Sequence, residues 1–136
     1  EAELAILDSN GAADSLHALR PVVSAEEIVG MCAAVRTVHL ATVLKSYMVD
    51  LSETSRNHNG LLLGLSPRAT LQLARATRSH AAAHGRDYAI PDDVKAVAIP
   101  VLAHRIVLRP DAASRGLTHE GAVQELLAAV PVPVGR

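Results

Sequence analysis

The sequence has almost no aromatic side chains: it contains neither phenylalanine nor tryptophan, and only two tyrosines. Hydrophobic residues still make up 49% of its 136 positions, so a core must be built from Leu, Val, Ile and Ala. Such a core favours closely packed helices over a sheet rich in aromatic residues. The shortage also argues against modules that stack the bases of single-stranded nucleic acid on aromatic rings.

An excess of charge of one sign is also missing. Thirteen Lys and Arg residues stand against fourteen Asp and Glu residues, which gives a formal net charge of −1. A small helical DNA-binding domain is therefore disfavoured. The single cysteine, Cys32, cannot form an internal disulfide and is typical of a reducing compartment. No apolar run is long enough to cross a bilayer, and no signal peptide is recognisable. We therefore expect a cytoplasmic protein with no nucleic-acid or membrane partner.

Apolar residues recur at helical spacing between short turn segments. This pattern predicts an all-α fold, a small helical bundle of about five to six helices. Ser24 and Glu27 have the spacing of a capping box, which marks one helix start. The expected helices cover residues 1–9, the segment after Ser24, residues 41–56 with an apolar stripe of Val43, Leu44, Tyr47, Met48 and Leu51, residues 67–84, and segments that begin at Pro91 and Thr118.

Finer features are predicted along these segments. Cys32 lies on an apolar helix face, so we expect it in the core. Gly85 is expected just beyond the end of its helix, and Pro100 should kink or split the helix that contains it. Residues 109–116 are expected to form a loop, and an extended connector is considered for residues 61–63.

The stretch "LGLSPRATLQLARATRS", residues 63–79, predicts a helix with a sharply defined start. Ser66 is a favoured N-cap, and Pro67 suits the first helical position, where no backbone donor is lost. Arg68 then lies in the first turn, where a cation is unfavourable unless an anion joins it. Unpaired N–H groups converge at the same point, so the geometry is that of a phosphate site. The alternative is a solvated polar face, made of Arg68, Gln72, Arg75 and Ser79.

Other candidate groups have simpler explanations. His80 and His84 have a spacing that can place two imidazoles on one metal, but no third ligand is evident, so we expect no structural zinc. Asp92 and Asp93 fall in a first helical turn, where acids complement the helix dipole. No catalytic triad occurs, and no phosphate loop of the form GxxxxGK followed by Ser or Thr occurs. The chain is therefore expected to be inactive by itself.

Four strings in order resemble one family. They are residues 64–69 (GLSPRA), 85–88 (GRDY), 91–94 (PDDV) and 101–105 (VLAHR). Together they resemble the C-terminal helical lid of MoxR-type AAA+ ATPases, over about residues 4–133, and the upstream string TSR at residues 54–56 is also similar. The sequence departs from the family pattern at a few positions. Ile90 replaces the usual polar residue before Pro91, so that helix is expected to lack a side-chain cap.

The resemblance implies a role for the helix start. Arg68 would be the sensor-2 residue, the cation that reaches from the lid to the nucleotide phosphates, and Ser66 and Pro67 would position it. ATP and Mg²⁺ would be bound by the full-length protein, and none is expected in this fragment. The resemblance also implies an oligomeric ATPase with chaperone-like activity. Its partners would be the missing ATPase core, neighbouring subunits and proteins with von Willebrand factor A domains.

The resemblance also implies a division of the chain. Residues 1–20 would be a linker or a terminal helix from the missing ATPase core, and residues 21–136 would be the helical lid domain. The alternative is a free-standing helical protein-interaction module that binds a partner helix or peptide in an apolar groove.

Overall fold

The computed structural model describes Leu4 and residues 19–133. The chain divides into two compact units, Glu1–Cys32 and Ala33–Arg136. Of the helix predicted over residues 1–9, all but Leu4 lies outside the described residues. The predicted division of the chain at residue 20 stays a prediction.

The described residues are mostly helical, which confirms the all-α prediction. A two-stranded antiparallel sheet pairs Leu61 with Leu108 and Leu63 with Val107, so the extended segment considered for residues 61–63 is present. A short 3₁₀ turn, Ala103–Arg105, follows the fourth helix. In chain order the elements are α1 (Ala25–Thr37), α2 (Thr42–Arg56), β1 (Leu61–Leu63), α3 (Pro67–Ala83), α4 (Pro91–Leu102), β2 (Val107–Leu108), α5 (Pro110–Ser114) and α6 (His119–Ala129).

Helix α1 begins with the predicted capping box. The Glu27 N–H donates to Ser24 Oγ at 3.1 Å, and the Ser24 N–H donates to Glu27 Oε2 at 2.6 Å. The hydrogen bond from the Ser24 N–H stabilises the carboxylate of Glu27 and so lowers its pKa. The expectation that Cys32 is a core residue is wrong, because its side chain is exposed and α1 has no buried residue. Helical periodicity shows which residues share a face, but it does not show whether that face is covered.

The core of the second unit lies between α2, α3, α4 and α6. The predicted stripe on α2 is buried except for Val43, which is 55% exposed. Val43 lies at the edge of the stripe, outside the arc that the other helices cover. The core residues of these helices include Leu44, Tyr47, Met48, Leu51, Ala69, Leu73, Val94, Ala98, Leu102, Val123 and Leu126.

Local signals place the ends of the later helices correctly. Gly85 follows the end of α3 with φ at +71°, a left-handed conformation that suits glycine, as predicted. Thr118 Oγ1 caps α6 by accepting the Gly121 N–H at 3.0 Å. Helix α4 lacks a side-chain cap from Ile90, also as predicted. It runs through Pro100 to Leu102, so no split occurs at the proline.

The prediction of a loop over residues 109–116 is wrong in part. Pro110–Ser114 forms the short helix α5, with Pro110 in its first turn. Ala112 is buried, so tertiary packing holds a turn that the polar sequence around it did not indicate. Among the described helices, none is long and apolar enough to cross a membrane.

One core polar group lacks a partner. The Tyr47 side chain is 1% exposed, and its hydroxyl has no hydrogen-bond partner among the described residues. Burial also raises the pKa of Tyr47, because it disfavours the phenolate.

We therefore expect Tyr47→Phe to leave the free energy of unfolding unchanged or to raise it by up to about 1 kcal/mol, because it removes an unpaired buried hydroxyl. Urea unfolding measures this, with Tyr88→Phe at a half-exposed position as the control. A loss of more than about 1 kcal/mol in Tyr47→Phe alone would show that the hydroxyl has a partner, such as a buried water.

Candidate functional site

The start of α3 has the predicted cap. Ser66 is extended, with φ −81° and ψ 161°, and its Oγ accepts the Ala69 N–H at 3.3 Å. The Ser66 carbonyl oxygen also accepts the Ala69 N–H, at 2.9 Å, and the Thr70 N–H at 3.3 Å. Pro67 occupies the first helical position and has no N–H to satisfy. Most of the donors at this helix end are therefore absent or already used.

Arg68 is the exception at this helix end. Its side chain is exposed, and within residues 19–133 neither its guanidinium nor its backbone N–H has a hydrogen-bond partner. Two kinds of donor from one residue are therefore free at the positive end of the α3 dipole. This arrangement can bind an anion that approaches from outside the unit. The helix face that follows is polar and at least partly solvated, as the alternative interpretation predicts; it consists of Gln72, Arg75 and Ser79.

The residue before the cap is held by side chains of α2. The Leu65 N–H donates to Ser55 Oγ at 2.8 Å. The Leu65 carbonyl oxygen accepts from Arg56 Nε at 3.0 Å and from Ser52 Oγ at 3.3 Å. Leu65, Ser52 and Ser55 are all buried. We call Ser52, Ser55 and Arg56 the Leu65 clamp, because together they satisfy both backbone polar groups of Leu65.

Gly64 allows this close approach. A Cβ atom at Gly64 would lie 2.6 Å from the carbonyl carbon and oxygen of Ser55 and 2.7 Å from the Arg56 nitrogen. These are backbone atoms of α2 and cannot move aside as a flexible side chain could. Any larger residue would therefore push the chain away from α2 and open the Leu65 clamp.

The sequence carried a signal for this clamp that was not interpreted. The string TSR resembles the family pattern, and Ser55 and Arg56 within it are two of the three clamp residues. Their partner lies nine or ten positions later in the chain. Helical periodicity links residues three or four apart, so it could not pair them with Leu65.

A second polar cluster joins the end of α3 to the start of α4. Asp93 is 1% exposed. Its Oδ1 accepts from Arg86 Nη2 at 2.5 Å and lies 2.7 Å from His80 Nδ1. Its Oδ2 accepts from Arg86 Nη1 at 2.6 Å and from the Ile90 N–H at 2.8 Å. The Arg86 hydrogen bonds hold the pKa of Asp93 far below its usual range, against the opposing effect of burial, with further contributions from the Ile90 N–H and His80.

The two first-turn acids of α4 therefore differ. Asp92 is 80% exposed and lies 3.5 Å from Lys95, as expected of an acid that only complements the helix dipole. Asp93 does more, because its carboxylate replaces the missing Ile90 side-chain cap and forms a bidentate pair with Arg86. Helical periodicity does not indicate this ion pair, because a turn separates Arg86 from Asp93 in the chain.

His80, in α3, and His84, the residue directly after α3, contact different partners. His80 Nδ1 faces Asp93, while His84 Nδ1 donates to the His80 carbonyl oxygen at 2.8 Å. Their ring centroids are 4.3 Å apart. In the part of the chain that is described, no three His, Cys, Asp or Glu residues are grouped as a metal site would need. The absence of structural zinc stays a prediction.

Two substitutions at the start of α3 should differ in their effect on the stability of the chain. Ser66→Ala loses a helix cap and should lower the free energy of unfolding by about 1 kcal/mol. Arg68→Ala should change it by less than about 0.5 kcal/mol, because the side chain is exposed and unpartnered in the described structure. Thermal melts of both variants of this chain test the pair. An Arg68→Ala variant as unstable as Ser66→Ala would contradict the assignment of Arg68 as a free surface cation.

Asp93→Asn should destabilise the chain by about 3 kcal/mol near neutral pH, because it leaves the Arg86 charge without its partner. We take the low end of the range for a broken buried pair, since the Arg86 side chain is 23% exposed. Urea unfolding of both proteins measures the difference.

The difference should depend on pH in one direction. The folded-state pKa of Asp93 lies below its ordinary value of 3.8. The ionised carboxylate therefore contributes its full stabilisation above about pH 5, and this stabilisation is lost as the pH falls toward the folded-state pKa. The stability gap between wild type and Asp93→Asn should therefore narrow between about pH 5 and about pH 2. A gap that stays constant over this interval would contradict the ionised Asp93 of the structure.

Known proteins resemble this chain over most of its length. The AAA lid domain family matches residues 53–126. Bacillus subtilis YeaC is 35% identical over 134 residues, which is 98% of this chain and 42% of that protein. Paracoccus denitrificans MoxR is 38% identical over 122 residues, which is 76% of this chain and 35% of that protein. A crystal structure from Cytophaga hutchinsonii, described as a proposed ATPase, superposes with a TM-score of 0.71 at 27% identity, covering 75% of this chain and 34% of the other.

The chain spans less than half the length of these relatives. The matched family segment contains Ser55 and Arg56 of the Leu65 clamp, the start of α3, and the Asp93 cluster. All four strings that resemble a MoxR lid also lie within this segment. The chain thus belongs to the AAA lid domain family, as a lid of the MoxR type.

Proposed function

We propose that this lid supplies the sensor-2 arginine of an AAA+ ATPase, and that Arg68 is that residue. The observation that carries the proposal is the free cation itself. Arg68 is exposed, has no partner among the described residues, and stands on a helix start whose position the Leu65 clamp determines. A cation at this end of the helix dipole is mildly unfavourable unless an anion joins it, so an anionic ligand would account for its position.

The chemistry of Arg68 suits a nucleotide phosphate. A guanidinium is planar, always charged, and can meet two phosphate oxygens at once. Its own backbone N–H adds a donor at the same helix end. The chain has no phosphate loop, so the β- and γ-phosphates and Mg²⁺ would be held by another part of the intact protein. Arg68 would then approach a nucleotide that is already bound.

The two polar clusters make α3 a suitable carrier of movement. The Leu65 clamp ties its start to α2, and the Asp93 cluster ties its end to α4. A pull on Arg68 would therefore displace these three helices together. Hydrolysis would release that pull, and the lid would pass the displacement to a neighbouring subunit as a rigid-body rotation.

The whole protein would act as an oligomeric, chaperone-like ATPase in the cytoplasm. This part of the proposal rests on the family, since one relative is named a chaperone: Mycobacterium tuberculosis MoxR1, 44% identical over 70 residues, 52% of this chain. The lid's partners would be the ATPase core, neighbouring subunits and proteins with von Willebrand factor A domains, rather than nucleic acid or a membrane. The energy of ATP hydrolysis would remodel these partner proteins.

The groove described for the second unit does not favour the free-standing interaction module. That hypothesis needs an apolar groove for a partner helix. A groove of about 1120 Å³ lies between the end of α2 and the start of α6, but it carries the carboxylates of Asp50, Glu53 and Glu125. Glu125 also lies 2.9 Å from His58 Nε2 across this groove. Its polar lining does not suit the apolar face of a helix.

Arg68→Ala in the intact ATPase should lower the rate of hydrolysis strongly, by up to about 10³-fold if the guanidinium stabilises phosphoryl-transfer charge. The loss should be smaller if its main role is to close the lid. Arg75→Ala is the matched control, because it removes an exposed arginine from the same helix. Steady-state ATPase rates of both variants test the proposal. A wild-type rate for Arg68→Ala, or an equal loss for Arg75→Ala, would refute it.

A further inference from the structure

We propose that Arg56 and Ser52 are positioning residues for Arg68, so that the rate of ATP hydrolysis depends on two α2 side chains that do not themselves reach the nucleotide. This inference rests on the proposed function of Arg68. It extends that proposal from the cation at the helix start to the contacts that determine where the cation lies.

The contacts form a closed triangle. Arg56 Nε donates to the Leu65 carbonyl oxygen at 3.0 Å, and Arg56 Nη2 donates to Ser52 Oγ at 3.0 Å. Ser52 Oγ donates in turn to the same Leu65 oxygen at 3.3 Å. Because the guanidinium is planar, its two donors fix the direction of the Leu65 carbonyl as well as its distance. A single-donor side chain could not make both contacts.

A second attachment prevents rotation about this point. The Leu65 N–H donates to Ser55 Oγ, and the Ser55 hydroxyl donates to the Ser52 carbonyl oxygen at 2.6 Å. The N–H and C=O of Leu65 are thus held from the same helix. Gly64 brings the preceding peptide against the α2 backbone, so the chain cannot shift toward α2. The hydrogen bonds of the Leu65 clamp oppose a shift away from it.

Little flexibility remains between the Leu65 clamp and Arg68. Only Ser66 and Pro67 intervene. Ser66 is held by its capping hydrogen bonds, and the ring of Pro67 fixes its φ angle. A change in the direction of the Leu65 carbonyl must therefore turn the first residues of α3 and displace the Arg68 guanidinium. Displacements of about 1 Å at a catalytic group can cost up to about 10²-fold in rate.

A four-protein cycle in the intact ATPase tests the inference: wild type, Arg56→Lys, Arg68→Ala and the double variant. Lysine keeps the positive charge, but its donors share one nitrogen on a flexible stem, so it lacks the planar fork that fixes the directions of the two contacts. We expect Arg56→Lys to lower kcat by between about tenfold and about 10²-fold, with a smaller change in the KM for ATP. In the Arg68→Ala background the same substitution should cause no further loss, because it acts through Arg68.

Two further variants test whether a loss of stability alone could explain a lower kcat. Ser52→Ala removes one side of the triangle and should give a smaller loss of kcat with the same dependence on Arg68. Val123→Ala shortens a buried side chain of α6 that is not part of the Leu65 clamp, and should lower the melting temperature while kcat per folded molecule is retained. A comparable loss of kcat in Val123→Ala would show that destabilisation alone slows hydrolysis, and would overturn the inference.

The outcomes separate the two proposals. If Arg68→Ala is impaired while Arg56→Lys and Ser52→Ala keep the wild-type kcat, the inference fails and the sensor assignment stands. If Arg56→Lys lowers kcat equally with and without Arg68, Arg56 acts independently of Arg68 and the inference also fails. If Arg68→Ala hydrolyses ATP at the wild-type rate, the proposed function itself fails.

Discussion

The arrangement of the lid depends on how the backbone N–H and C=O groups of one buried residue find hydrogen-bond partners. Leu65 lies between β1 and α3, outside both elements, so neither can supply partners for its N–H and C=O groups. Buried backbone groups without partners are costly. Three side chains of α2 fill this need, and the absence of a Cβ at Gly64 lets the chain come close enough to reach them. The position of α3 relative to α2 follows from these contacts.

The far end of α3 is fixed by a different kind of interaction. There a buried carboxylate, Asp93, gathers donors from the turn after α3 and from the start of α4. The cluster fixes which groups meet at this end of α3, but it is weak evidence of extra stability, because burying the charges offsets much of the attraction between them. Hydrogen bonds attach the start of α3 to α2, and the Asp93 cluster attaches its end to α4. The helix that carries Arg68 is therefore held at both ends.

Sequence rules for helix ends correctly predicted the features that depend only on neighbouring residues. The cap at Ser66, the proline at the first position of α3 and the left-handed Gly85 follow from the chemistry of one to three neighbouring residues, and the structure has all three. Cys32 was wrongly placed in the core, because the burial of a helix face depends on which other elements cover it. The Leu65 clamp and the Asp93 ion pair were missed for the same reason: their partners meet only after the helices pack.

A structure of the intact ATPase with bound nucleotide and Mg²⁺ tests the central claim most directly. We expect the Arg68 guanidinium within hydrogen-bond distance, about 3 Å, of a phosphate oxygen. We also expect Leu65 still bound to Ser55 and Arg56, so that the cation reaches the phosphate without a change in the start of α3. A nucleotide-filled site with the lid closed and Arg68 directed into solvent would contradict the account.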